Sequence, residues 1–271
     1  MFQSRRPKTR LGSGFAIAQL IFNQTARAVR ETNGNAVLAI LLSVARMAVM
    51  LLAFYLLFTL LKLRGTAVRG DFFIYMLSGI FMFMLQNMTL SAVASASVGP
   101  MTRHAPMTAV VSIMSAALSS LYTQVLAMAV LLFGYHALVT PIEIEHPVQA
   151  MGLMLIVWGW GVAMGMVLLA ITPWMPDVSV LLRTIIMRVN MVASGKMLLA
   201  NNLPESRRWM FDWNPLFHAI DQTRGALFLN YEPRTTSMLY PIYATLALAV
   251  VGMLGEYYTR QQASASWKAG R

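Results

Sequence analysis

No cysteine occurs in the chain, which removes disulfides, thiolate metal sites and cysteine nucleophiles together. Charge is scarce as well: Asp, Glu, Lys and Arg make up 11% of the 271 residues, and only 10 residues are acidic. Soluble domains carry about 25% charged residues, so the surface cannot be a water-solvated one of ordinary size. Alternation of apolar and polar residues at period two, which a membrane β-barrel requires, is missing from every long apolar stretch. A phosphate-binding loop is missing too. Gly195-Lys196 has the right dipeptide, but Asn190 stands where the upstream glycine belongs and Met197 replaces Ser or Thr. ATP is therefore not bound through a Walker motif on this chain. Residues 1–10 are polar and basic with no short apolar run and cleavage site behind them, so no cleavable signal is expected and the first span serves as its own.

What the sequence does have is apolar residues, 58% of the total, gathered into blocks such as 36–61, 72–98 and 240–258. Each is long enough to cross roughly 30 Å of hydrocarbon as a helix. The expectation is an all-α integral membrane protein, a single domain over 1–271, with about six transmembrane helices near 36–61, 72–97, 107–137, 149–171, 178–200 and 238–258. The 22 methionines read as flexible apolar packing. A net charge of +11 sits mainly at the ends and between spans, where anionic lipid headgroups are the expected partners rather than nucleic acid.

Residues 14–31 read as an amphipathic helix lying on the membrane. Phe15, Ala18, Ile21, Phe22, Ala26 and Val29 share one face and Gln19, Asn23, Arg27 and Arg30 the other, with Leu20 the one large apolar residue on the wrong side. Arg5, Arg6, Lys8, Arg10, Arg27 and Arg30 precede the first span and Arg260, Lys268 and Arg271 follow the last, which places both termini in the cytoplasm. Lys62, Arg64 and Arg69 in the first outer loop run against that rule. The fifth span carries Arg183, Arg188, Asn190 and Lys196. At about 2.5–3.5 kcal/mol for an Arg or Lys at a helix centre, such a helix should face protein or water. Arg46 in the first span invites the same reading or that of a snorkelling side chain.

Two connecting segments stand out. In 97–106, Gly99, Pro100 and Pro106 stop both flanking helices and set Arg103 and His104 in a short cytoplasmic element; it is either a plain turn or a docking element for a separate motor protein. In 213–231, Asn214-Pro215 is a helix start. From there Leu216, Ile220 and Leu227 line one face and His218, Asp221 and Gln222 the other, with Asp221 and Arg224 spaced to pair at i,i+3. That segment is too short and too polar to span, so it is expected to be a re-entrant or interfacial helix on the outer side, before the last span. His136, Glu143, Glu145 and His146 match no metal-ligand spacing, and no catalytic set assembles from the sequence. No site for a metal or cofactor is expected.

Taken together, these features resemble the membrane subunit of ABC-2 type transporters, and within them the capsular polysaccharide and O-antigen exporters. The resemblance rests on the basic amphipathic N-terminal helix, the spans, the 173–177 link, and above all the run Asn214-Pro215-Leu216-Phe217-His218-Ala219-Ile220-Asp221 followed by Arg224 and Tyr231. Asp221 stands where many relatives carry Glu. The resemblance implies a homodimer joined to two copies of a nucleotide-binding ATPase that holds the ATP and Mg. Gly99, Pro100, Arg103, His104 and Pro106, with Arg27 and Arg30, would couple to that ATPase. A lipid-linked polysaccharide would pass between the two membrane subunits in a bacterial inner membrane, and a periplasmic co-polymerase and an outer-membrane channel are further implied partners. Phe54, Tyr55 and Phe58 of the first span and Arg183, Arg188 and Asn190 of the fifth are candidates for the channel lining, where aromatic rings can stack on sugars; lipid-facing aromatics are the alternative. Two other functions compete. An ion-driven secondary transporter should show a repeat and a midplane carboxylate, and neither is found. A membrane-embedded transferase acting on lipid-linked sugar would have to use His218 with Asp221.

Overall fold

The computed structural model describes residues 10–31, 34–60, 71–96 and 109–269. The expected coupling segment, with Gly99, Pro100, Arg103, His104 and Pro106, lies outside them. The described residues are helical with turns and loops between, and no strand occurs among them. Helix α1 (Arg10–Glu31) precedes α2 (Ala36–Leu60), α3 (Phe72–Ala94), α4 (Ala109–Leu138), α5 (Pro147–Ile171), α6 (Pro176–Ala193), α7 (Glu205–Asp212), α8 (Pro215–Leu227) and α9 (Leu239–Ala269). Among the described residues, five helices are long and apolar enough to cross a bilayer: α2, α3, α4, α5 and the 239–259 part of α9.

The centre of the bundle is α3. From Ile74 to Asn87 every residue is buried, so the helix presents no face to lipid. This explains how it tolerates Ser78, Gln86, Asn87 and Thr89 inside a span: each polar group faces protein. Helix α5 packs between α3 and α9, and two glycines let it come close. A Cβ on Gly161 would stand 2.8 Å from the Gln86 carbonyl, and one on Gly165 2.6 Å from the Val93 Cβ. Small residues of this kind are how helices approach one another where lipid removes the hydrophobic drive. Polar groups add cross-links, with Thr89 and Ser120 hydroxyls 2.9 Å apart between α3 and α4, and Trp158 Nε1–H donating to the Ala117 carbonyl at 2.9 Å. Such bonds average about 0.6 kcal/mol in membranes, so close packing contributes more than they do.

The opposite ends of the bundle are tied separately. At one end, Asp71 accepts from the Tyr135 hydroxyl at 2.5 Å and from Thr140 at 3.0 Å, joining the start of α3 to the end of α4. Glu143, Glu145 and His146 are exposed in the loop that follows, and His136 Nδ1 accepts from the Ile142 N–H there. At the other end, Arg183 donates to Ser95 Oγ at 2.9 Å and Trp174 to Thr259 at 3.1 Å. There α1 lies against α4 and α2, with Val29 buried and Phe15 and Phe22 exposed on its apolar side, and with Arg27 and Arg30 exposed.

The 178–200 segment departs from a continuous span. Helix α6 has 18 residues, a rise of about 27 Å, and stops at Ala193. Its residues run antiparallel to α3: Arg183 meets Ser95, and Asn190 meets Gln86, eight residues before Ala94. Beyond Ala193 the chain turns at Gly195, whose φ of +62° lies in the left-handed region that ends helices. It then continues along α3 without helical structure as far as Tyr75. The crossing that α6 begins is completed by non-helical backbone.

Candidate functional site

Non-helical backbone at this depth needs partners for its polar groups, because neither lipid nor an α-helical ladder supplies them. They come from the segment the sequence marks out. Helix α8 enters the bundle with its start beside α6 and rises 13 residues, about 20 Å, to where the Ala226 carbonyl accepts from His146 N–H at 2.9 Å. It is buried nearly all round.

Asn214 joins the two helices. Its Oδ1 caps α8 by accepting from Leu216 N–H at 3.0 Å, the role its sequence position predicts. Its Nδ2 donates to the Ala193 carbonyl at 3.0 Å and to Asn190 Oδ1 at 3.1 Å, and Asn190 in turn donates to Gln86 at 3.0 Å. One side chain thus ends α6 and begins α8. Asn190 is buried inside this chain of amides, so within the protomer it is a helix tie rather than a residue facing an open path.

Arg224 is fully buried, and its guanidinium grips the non-helical stretch. Nη1 donates to the carbonyls of Gly195 and Leu198, and Nη2 to that of Lys196. Tyr75 donates to the intervening Met197 carbonyl at 3.0 Å and lies with its ring 4.2 Å from the guanidinium carbon. Asp221 holds the end of the same stretch through Ala200 N–H at 3.2 Å, and accepts also from the Tyr231 hydroxyl at 2.5 Å and Thr236 at 2.9 Å. Burial, reinforced by the Asp221 carboxylate, pushes the Tyr231 phenol far above its usual range, so it remains a donor. The expected Asp221–Arg224 pair is therefore not what these residues make: each is committed to the backbone between 195 and 200. A planar fork of donors can serve several carbonyls at once, which is why Arg suits the position.

His218 is also occupied. Its Nδ1 accepts from Ser237 N–H at 3.0 Å, so Nε2 carries the proton and donates to the Asp212 carbonyl at 2.8 Å. Both His218 nitrogens and both Asp221 oxygens are thus engaged by structural partners, with the carboxylate accepting three hydrogen bonds. Lys196, which the sequence reading treats only as a failed phosphate loop and a costly charge, is buried. Its ammonium donates to the Met191 carbonyl at 2.9 Å and lies 3.6 Å from the Phe83 ring centre and 5.4 Å from that of Phe54, a cation–π cage. The signal for it was Gly195, a helix stop followed by a cation able to reach back to the last turn.

The candidate channel residues do not converge within the protomer. Tyr55 and Phe58 lie 6.2 and 5.7 Å from the Phe72 ring at one end of α3, Phe54 covers Lys196, and Arg183 sits at the opposite end beside Ser95. Arg188 is exposed on α6, and Arg46 is exposed on α2. They stand about 18 Å and 15 Å along their helices.

Replacing Asn214 with alanine removes an N-cap and the donor to the end of α6. The expected result is a loss of about 2 kcal/mol, seen as a lower thermal midpoint in detergent; Asn214→Ser, which keeps a capping oxygen and loses the donor, should lie between the two. An unchanged midpoint for Asn214→Ala would remove the coupling of α6 to α8.

Comparison with protein families matches residues 19–228 to the ABC-2 type transporter. Among curated proteins nothing matches the chain. The family match takes in α2 to α8 with the amide tie and the Arg224 clamp, and the chain accordingly belongs to the ABC-2 type transporter family, as a multi-pass permease subunit of an ABC exporter whose ATPase is a separate partner chain.

Proposed function

We propose that this permease moves a lipid-linked polysaccharide of the capsular or O-antigen kind through a hydrophilic conduit between two copies of the chain. The observation that carries the reading is the exposure of Arg46 and Arg188 within α2 and α6, with neither side chain hydrogen-bonded or ion-paired among the described residues. A bare guanidinium at that depth is costly against hydrocarbon, and a water-filled path removes the cost. The polysaccharide itself is supported by the Asn214–Asp221 run, which resembles that of capsule exporters. In this reading the chain sits in a bacterial inner membrane with both termini in the cytoplasm. Residues 97–106 together with Arg27 and Arg30 dock on the ATPase, which carries ATP and Mg; no cofactor sits on this chain. A periplasmic co-polymerase and an outer-membrane channel receive the product.

The lack of native cysteine makes the test direct. Arg46→Cys and Arg188→Cys, introduced singly, should react with a charged, membrane-impermeant thiol reagent about tenfold faster than Leu52→Cys or Val180→Cys, because only a hydrated thiol ionises. Equal, slow labelling of all four would sink the conduit. The substrate is checked by reconstituting the permease with its ATPase and following ATP-dependent delivery of a lipid-linked glycan into vesicles.

A further inference from the structure

The lipid-facing stripes of α2 and α9 do not lie side by side. Helix α9 keeps one register along α5: a Cβ on Gly159 would stand 3.4 Å from Thr245 Cγ2, one on Gly252 2.8 Å from Met166 Cβ, and one on Gly255 3.1 Å from Ala170 Cβ. That register sets Leu239, the first residue of α9, level with Leu153, so the first turn and a half of α5, about 9 Å, extends beyond it. Gly161 beside Gln86 and Gly165 beside Val93 set the start of α5 level with the start of α3. There the Tyr55 and Phe58 rings meet Phe72. Exposed Leu56 and Leu57 of α2 therefore stand about 10 Å further toward the Asp71 end than exposed Leu239. The stagger recurs at the Ser95 end, where Thr259 bonds to the Ala170 carbonyl at 3.0 Å and α9 runs past the start of α2.

Aromatic residues bracket the α9 stripe. Tyr240 and Tyr243 are exposed at its start and Tyr257 and Tyr258 at its finish, with Leu246, Val250 and Leu254 exposed between them. The rise from Tyr240 to Tyr258 is about 27 Å, close to the roughly 30 Å of a hydrocarbon core, and tyrosine and tryptophan collect at the two headgroup levels. Helix α7 ends at the first of those levels, since the Tyr240 hydroxyl donates to the Trp213 carbonyl at 2.8 Å. Trp209 and Tyr243 are exposed and make no side-chain hydrogen bond among the described residues. Glu205 and Arg207 are exposed on α7 as well. An indole N–H, a phenol and charged groups need water or headgroups, and a bilayer fitted squarely to α2 would hold Tyr243 inside hydrocarbon. We infer that α7 and the start of α9 lie in the headgroup layer of one leaflet, and that the bilayer crosses the bundle at a slant, meeting α9 about 10 Å nearer the Ser95 end than it meets α2. Both spans are long enough for a full bilayer, so the lipid need not thin. The inference goes beyond the export reading and stands whichever end is cytoplasmic.

The experiment uses the permease with its ATP-binding partner in nanodiscs of phosphatidylcholine, with nitroxide labels on Leu56→Cys, Leu239→Cys and Val250→Cys in turn. Depth is read from collisions with oxygen, which concentrates in hydrocarbon, against those with a nickel chelate, which stays in water. The labels at 56 and 239 should report depths within one helical turn of each other, and the label at 250 should lie about 16 Å further in than that at 239. A label at 239 about 10 Å deeper than that at 56 would restore a square bilayer and overturn the inference. Free access of nickel to the label at 239, with oxygen no higher than in bulk water, would give this flank an aqueous neighbour and overturn it too. All three side chains are exposed, so thermal midpoints should match wild type. If one label disturbs the fold, Tyr243→Cys against Leu52→Cys, one turn further along each helix, repeats the comparison with the same two outcomes.

Discussion

Arg224→Met should leave little folded protein. The Lys196 and Leu198 carbonyls lose their donors, while that of Gly195 keeps the Leu198 N–H at 2.9 Å. One orphaned buried acceptor and one partly buried acceptor cost about 2–4 kcal/mol together, a large share of the 5–15 kcal/mol that typically separates folded from unfolded. Methionine fills similar space, so the loss would come from the missing donors rather than from a cavity. Arg224→Lys has one ammonium for two diverging carbonyls and should recover about half of the loss. The measurement is the thermal midpoint by tryptophan fluorescence in detergent, with monodispersity on a sizing column. A midpoint for Arg224→Met within a degree or two of wild type would mean that water satisfies the stretch between 195 and 200, and the clamp would lose its structural role.

Gly195→Ala should be comparably damaging by a different route. At φ +62° an L side chain is strained by about 1–2 kcal/mol. The added Cβ would also stand 2.3 Å from Phe217 Cδ2, and such overpacking adds about 1–3 kcal/mol. Phe217 stands in the first turn of α8 with its N–H on the Asn214 carbonyl at 3.0 Å, and its side chain is fully buried, so the ring has no open space to retreat into. The two contributions separate in a double-mutant cycle. Adding Phe217→Leu should recover the steric part and leave the backbone part, so the double variant should be more stable than the sum of the singles. Strict additivity would show that the ring and the glycine do not meet.

Much of this architecture was legible from residue order. Length and apolarity placed α2, α3, α4, α5 and the start of α9 to within a few residues, because nothing competes with a twenty-residue apolar run. Asn214-Pro215 located the start of α8, because cap chemistry is local. The end of α6 was not read, although Gly195 announced it: the apolar residues on either side of Gly195-Lys196 mask the stop, and hydrophobicity averaged over a window cannot see one left-handed residue. The partners of Asp221 and Arg224 were misread for a related reason. Spacing at i,i+3 says that two side chains can meet on one helix, whereas the carbonyls that claim Arg224 come from residues 26 to 29 positions away. Helix-wheel reasoning gave α8 a wet face, and tertiary packing turned that face toward unpaired backbone instead. Lys196 shows the same limit, since its cage draws Phe54 from α2 and Phe83 from α3, which no local pattern brings together.

Asn214 bonds at once to Asn190, to the Ala193 carbonyl and to Leu216 N–H, and Asn190 bonds to Gln86. Three amide side chains on three separate stretches of sequence are thus one inheritable unit. A drift at any of them strands the other two, so in descendants of this chain positions 86, 190 and 214 should change in concert or stay put, and exchange of α8 between diverged homologues should succeed only when its two distant amides travel with it.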